Sequence, residues 1–287
     1  MNNITEIEEF VKKNYSTMGL KYIVDKFGTN TSRVARMAKK YGLSVSKEAR
    51  SKICTNAFDK SPEKYNVNHL AFIDIKSPEI AYILGLLWAD GHISKHGTGH
   101  YIVCSTTAAD EVDLEKVFSA TGKWNKYIKP HDPILHPKWK PAITFQTTNK
   151  HLFLFLETMD YTNKTGCSPS KIINHIPEDL RHYWWRGFFD GDGCIYTKGT
   201  RVQINFAGPY EQDWSFAESL MKFLDITKFA AKQNISNKNH KSSAFRFCSK
   251  EGAKRFMEYI YREYEKFPIG LTRKYNKFKS FDFTYKR

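Results

Sequence analysis

The sequence predicts an α+β chain made of one unit used twice, preceded by a small all-helical module. Three observations predict this. A short apolar run ending in an acid and a glycine occurs twice, each copy is followed by stretches that alternate polar and apolar residues, and the first 43 residues carry helical periodicity without strand alternation.

The repeated runs are AYILGLLWADG at 81–91 and WWRGFFDGDG at 184–193, with Asp90 and Asp192 standing 102 residues apart. Ser77 and Pro78 read as the N-cap and first turn of the first run. After each run come half-buried strands: Thr144 and Gln146 alternate with Ile143 and Phe145, Arg201, Gln203 and Asn205 with Val202, Ile204 and Phe206, and Arg246 lies between Phe245 and Phe247. Helical patterns follow at 110–120 and 150–159 in one half and at 211–224 and 250–264 in the other. The order helix, hairpin, helix, hairpin, helix therefore occurs twice, and the expected halves are residues 77–180 and 181–287. A period near one hundred residues is a duplicated domain, because solenoid repeats are about 20 to 50 residues long.

Residues 1–47 read as three short helices. Thr5 and Glu8 have capping-box spacing, Gly28 closes a second helix over Leu20–Phe27, and a third runs from Thr31 to Tyr41. Arg33, Arg36 and Lys40 fall on its outer face. This module is either a helix-turn-helix-like DNA-binding unit or a small bundle with a solvated basic face. Residues 48–76, polar and without sustained period, are expected to be a linker.

Lys and Arg number 45 against 30 Asp and Glu, a formal charge of +15 with 15% aromatics, which points to a polyanion such as nucleic acid. No apolar run is long enough to span a bilayer, so no membrane partner is expected. The opening MNNITEIEEF lacks the apolar core of a secretory signal, and an intracellular location is expected. Five cysteines, none in a CxxC pair, read as reduced packing residues. His92, His96 and His100 lie in a glycine-broken hairpin, which removes the helical spacing a metal site would need. There is no phosphate-binding P-loop, so ATP is not implied.

A carboxylate at a helix C-terminus meets the negative end of the dipole, and two such carboxylates repel. Gly85 with Ala89, and Gly187 with Gly191, put small residues on one face of each run, where two helices can meet backbone to backbone and bring both acids together. Gly91 and Gly193 are expected in left-handed cap positions. A hard divalent cation, Mg²⁺, would relieve the repulsion.

ILGLLWADG and WRGFFDGDG resemble the two copies of the motif that names the LAGLIDADG homing endonucleases, a resemblance covering residues 77–287. It implies a monomer of two pseudo-symmetric αββαββα halves whose antiparallel sheets form a saddle over the DNA major groove. It makes Asp90 and Asp192 the metal-binding acids, helped by adjacent backbone carbonyls at Gly91 and Gly193. The first copy departs at Trp88, where the second keeps an acid, Asp190, so the halves are inequivalent. The family also implies a basic residue beside each site. Lys164 and Lys171 are the first-half candidates and Lys266 and Lys274 those of the second, with Lys171 and Lys274 taken as the pair.

The implied function is Mg²⁺-dependent, site-specific cleavage of double-stranded DNA leaving 3′ overhangs. Thr144, Gln146, Arg201, Gln203, Asn205 and Arg246 would read the bases, and Arg33, Arg36 and Lys40 would add contacts from the N-terminal module. The rival is a non-cleaving relative, either a maturase with intron RNA as partner or a transcription regulator. The splicing nucleophile and the terminal His-Asn pair of an intein are lacking, so a free-standing protein is expected.

Overall fold

A computed structural model describes residues 4–46, 48–49, 66–129, 140–235 and 241–284. The chain forms two compact units, Met1–Lys64 and Tyr65–Arg287.

In the first unit, helix α1 (Ile4–Phe27) is broken at Gly19, whose φ of 74° no helix accommodates, and α2 (Thr31–Lys40) follows. The Asn30 side chain caps α2 by accepting from the Arg33 N–H at 2.8 Å. Gly28 and Gly42, at φ of 57° and 61°, close the second and third helices in the left-handed conformation the sequence requires there. Ile7, Val11, Ile23 and Val34 form the small core. Lys40 donates to Glu8 at 2.9 Å and Glu8 also accepts from Tyr41, so one of the three basic residues ties the last helix to the first. Arg33 and Arg36 remain exposed.

The second unit begins earlier than the linker expectation placed it. Val67 bridges to Gly122, a short helix α3 spans His69–Ile73, and Phe72 is buried in the core. Residues 66–76 are thus folded against the first half. Residues 50–65 of that stretch, Cys54 among them, and residue 47 before it lie outside the described residues.

Each half carries one four-stranded antiparallel sheet. The first contains β1 (Gly91–His96), β2 (Gly99–Thr107), β3 (Asn125–Lys129) and β4 (Ala142–Thr147) in the order β1-β2-β4-β3. The second contains β5 (Gly193–Lys198), β6 (Arg201–Gly208), β7 (Phe229–Ile235) and β8 (Lys241–Phe247) in the order β5-β6-β8-β7. The identical strand order is the duplication seen as topology. Helices α4 (Pro78–Ala89), α5 (Glu111–Ser119), α6 (Lys150–Thr158) and α7 (Ser170–His175) belong to the first half, and α8 (Arg181–Asp192), α9 (Ser215–Phe223), α10 (Lys250–Ile260) and α11 (Thr272–Lys279) to the second. The fold is α+β, with apolar sheet faces covered by these helices and one continuous core. Helix α9 starts later than expected because Gln212 turns back onto Pro209 and Asp213 accepts from the Ser215 N–H. No described helix is long and apolar enough to cross a membrane.

The motif helices α4 and α8 pack against each other along their length. A Cβ added at Gly85 would collide with the Trp184 carbonyl oxygen, and one added at Gly187 with that of Tyr82. These contacts exchange under the 102-residue shift, so the interface is a local pseudo-twofold axis. One step further, a Cβ at Gly191 would strike the Ala89 methyl and approach the Asp90 carboxyl. Because rigid backbone blocks both central glycines, Gly187→Ala should destabilise the fold by about 2–4 kcal/mol, measured by urea unfolding. An unchanged midpoint would show that the helices separate without cost.

Candidate active site

Ser77 starts α4 by accepting from the Ile80 N–H, with Pro78 in the first turn as the sequence predicts. The nine residues Ile80–Trp88 are all buried, and the helix ends where Asp90 caps it. α8 mirrors this with Tyr183–Asp190 buried and Asp192 at its last position. Gly91 and Gly193 correct one expectation: Gly193 is extended, with φ of −87°, and Gly91 is not in the left-handed region either. Glycine is needed there for room, since a Cβ at Gly91 would strike the Leu87 backbone and one at Gly193 the Phe189 ring and carbonyl.

The last carbonyls of both helices are held by lysines. Lys164 Nζ donates to Leu87 O (3.1 Å), Trp88 O (2.8 Å) and Gly91 O (2.5 Å). Lys274 Nζ donates to Phe189 O (2.6 Å), Asp190 O (2.7 Å) and Gly193 O (2.6 Å), the same three positions 102 residues on. Each ammonium adds donors where the helix end runs short of them, although Leu87 O and Phe189 O also accept from the Asp90 and Gly193 N–H groups, and it offsets the negative end of the dipole. The carbonyls of Gly91 and Gly193, expected as metal donors, are therefore occupied by ammonium groups. Burial pulls both lysines below their ordinary range, against the attraction of nearby acids.

Lys171 is corrected as a site residue: it is exposed and pairs with Asp160 at 3.6 Å, while Lys164 takes the position expected of it. Lys266 is exposed over the Phe267 ring. Repeat arithmetic misleads here, because Lys164 shifted by 102 gives Lys266, whereas the second half supplies Lys274 from α11. The position equivalent to Lys274 is Ile172, fully buried in the core.

Asp90 and Asp192 are partly buried, and their carboxylates accept no hydrogen bond from the described residues. Burial raises Asp90 above the usual carboxylate range, with Lys274 and Lys164 opposing it. Burial and then repulsion from Asp90 push Asp192 up to about 6. Two adjacent unpaired carboxylates that repel each other are a donor set suited to a hard divalent cation, so the acids fit the expected metal, while each glycine carbonyl already accepts one ammonium hydrogen bond.

The halves differ two residues earlier. Trp88 packs edge-on to Tyr161, whereas Asp190 accepts from the Tyr82 hydroxyl (2.9 Å) and the Leu271 N–H (2.8 Å). Burial pushes Asp190 up to about 6.

On the sheets, Arg201 is exposed, and Gln203, Asn205 and Arg246 are partly exposed on one polar face, with Asn205 and Arg246 paired across strands. Gln146 is partly exposed and accepts from Tyr127. Thr144 is corrected: it lies on the polar face but is fully buried, its hydroxyl 2.9 Å from that of Ser105. Strand pairing adds residues that sequence alternation in β4 alone does not reach. Tyr127 and Ser105 flank Thr144, and exposed His92 follows the first acid. The packing expected of cysteine holds for Cys104, but Cys194 and Cys248 are exposed thiols.

Residues 179–261 match the family described as the LAGLIDADG-like domain. Over that stretch the chain is similar to a LAGLIDADG-like domain. That match spans the second motif helix, the second sheet and α10, and the first half repeats its strand order. No curated protein sequence matches the chain. Among solved structures, the homing endonuclease I-WcaI bound to its DNA recognition sequence is 13% identical over 74% of this chain and 91% of its own, with a TM-score of 0.47. The LAGLIDADG meganuclease I-AabMI bound to uncleaved DNA is 12% identical over 71% and 88%, with a TM-score of 0.43. Mesophilic variants of the homing endonuclease I-DmoI are 13% identical over 64% and 94%, with a TM-score of 0.41.

The Asp192 shift has a consequence for stability without metal. Its folded pKa lies above the unfolded value, so its deprotonation costs stability as pH rises from about 4 through 6. In EDTA, Asp192→Asn should be more stable than wild type at pH 7 and above. The gain should be on the order of 1–2 kcal/mol, less than the full shift corresponds to because the carboxylate is partly solvated. It should vanish below about pH 4 in thermal melts; a gain that persists there would assign it to packing.

Proposed function

We propose that the protein is a site-specific endonuclease that cuts both strands of double-stranded DNA with a divalent cation, Mg²⁺, held at Asp90 and Asp192. The observation that carries this is the pairing of two unbonded carboxylates at adjoining helix ends whose carbonyls are already satisfied by Lys164 and Lys274. The lysines hold the helix termini and set a positive field beside the acids. That leaves the carboxylates, and not the backbone, to receive a cation. When bound, the cation would activate water and neutralise charge at the scissile phosphate. The +15 net charge and the polar sheet faces support a nucleic-acid substrate.

In this reading Arg201, Gln203, Asn205, Arg246 and Gln146 contact base edges from the sheets, while Arg33 and Arg36 of the N-terminal module extend the contact along the backbone. The chain acts as a monomer, since both acids and both lysines come from one polypeptide. Binding without cleavage, to DNA or to intron RNA, is the rival, and it gives no role to two partly buried acids whose repulsion only costs stability.

Asp90→Asn and Asp192→Asn should each abolish double-strand cleavage in Mg²⁺ while leaving DNA affinity within about threefold. The assay is cleavage of duplexes selected from a randomised library beside a gel-shift titration. Full cleavage by either variant would remove the acids from the mechanism.

Replacing Arg201 or Gln203 should relax preference at one or two base pairs, with a loss of about 1–3 kcal/mol for a good bidentate contact. Thr144→Val should leave the cleaved-site profile unchanged, because that hydroxyl is closed off by Ser105. A profile altered at Thr144 and constant at Arg201 would reverse the assignment of the polar face.

A further inference from the structure

Four consecutive residues entering α11 are each bound to a different group around the two acids. The Leu271 N–H donates to Asp190 Oδ2 at 2.8 Å. Thr272 donates its N–H (2.8 Å) and hydroxyl (2.9 Å) to the two carboxylate oxygens of Asp113. Arg273 makes a forked pair with Asp110, Nε to Oδ1 at 2.7 Å and one terminal nitrogen to Oδ2 at 2.9 Å. Lys274 then reaches the three carbonyls at the end of α8.

Asp110 and Asp113 belong to the first half, in the turn and helix after β2, and Asp110 is 2% exposed although its partner Arg273 is half exposed. A carboxylate taken so far out of water requires its charge partner, and a forked guanidinium fixes direction as well as distance. By structural position Asp110, the residue before α5, corresponds to Trp214 before α9, and Arg273, the residue before Lys274, to Asn163, which donates to Cys167, so among the described residues the first half has no mirror image of this clasp. Lys164 comes instead from the loop after α6 and is bound to the end of its own half's motif helix.

We propose that Asp110 and Asp113 of the first half are positioning residues for one of the two active centres, holding Lys274 in place through Arg273 and Thr272, so that one of the two strand cuts depends on a contact between halves. This rests on the nuclease reading above. The clasp does not touch DNA or the reacting phosphate; it acts by fixing where the Lys274 ammonium sits. Lys274 is the foremost cation acting on Asp90 and Lys164 the foremost acting on Asp192, so loosening the clasp should slow the strand served by Asp90 and spare the one served by Asp192. Displacements of about 1 Å at a reacting centre are enough for such an effect.

Two measurements on the full chain test this. The first is single-turnover cleavage of a library-selected duplex with each strand labelled separately. In Asp110→Asn and Arg273→Gln one strand should slow at least tenfold more than the other, so that nicked duplex accumulates. Arg273→Lys, which keeps the charge and loses the fork, should fall between these and wild type. Asp110→Asn should add nothing in a Lys274→Met background. The second is the acetic anhydride labelling rate of individual lysines, read by mass spectrometry without DNA. Lys274 should become at least fivefold more reactive in Asp110→Asn and in Arg273→Lys, with Lys164 unchanged. Equal slowing of both strands, or labelling that rises equally at both lysines or at neither, would overturn the proposal. Wild-type protein that cuts neither strand would instead refute the nuclease reading, and the labelling would still decide whether the clasp holds Lys274.

Discussion

The backbone contact between α4 and α8 is the constraint on which the rest of the molecule depends. Gly85 and Gly187 each lie against a carbonyl oxygen of the opposite helix, and neither position admits even a methyl group. Helices this close bring their C-terminal ends together. That concentrates two dipole ends and two carboxylates in one place, an arrangement electrostatics opposes. The surrounding structure answers that opposition twice, with a lysine on each set of terminal carbonyls and with a cation expected between the acids.

The two answers divide the oxygen atoms between them. Lys164 and Lys274 take carbonyls, three each, and leave Asp90 and Asp192 unbonded. Had the lysines paired with the carboxylates, the site would be a neutral ion-pair cluster with little affinity for a metal. Asp190 serves a third purpose two residues back, joining Tyr82 of the opposite helix to Leu271. Arg186, fully buried on the same helix, donates to the carbonyls of Ile260, Arg262 and Ile269. Together they pin the approach to α11 at both ends, which is why the second half can deliver its lysine from a helix while the first delivers one from a loop.

Much of this was legible in the sequence. The paired acid-glycine runs, the small residues four apart and the alternating strands give the duplication, the helix pairing and the position of both acids, because each is a local pattern with a fixed period. What was not legible depends on three-dimensional routing. Lys164 and Lys274 occupy equivalent places without equivalent sequence positions, so an internal repeat cannot pair them. Thr144 alternates correctly yet is roofed by neighbouring strands, which periodicity within one strand does not reveal. Gly91 and Gly193 are glycines for lack of space and not for a left-handed turn, a distinction that depends on where Leu87 and Phe189 lie. The folding of residues 66–76 onto the first half rests on buried Val67, Phe72 and Ile75, apolar residues set among polar ones without a sustained period.

The central claim is that the convergent helix ends present carboxylates to a cation and carbonyls to lysine. Crystals of the protein with DNA, grown with Mn²⁺ and measured at the manganese absorption edge, test it most directly. The account predicts anomalous peaks within bonding distance of Asp90 and Asp192 oxygens, with both lysine ammonium groups still on the carbonyls of Gly91 and Gly193. Manganese bound elsewhere, or lysines that have moved onto the carboxylates, would contradict it.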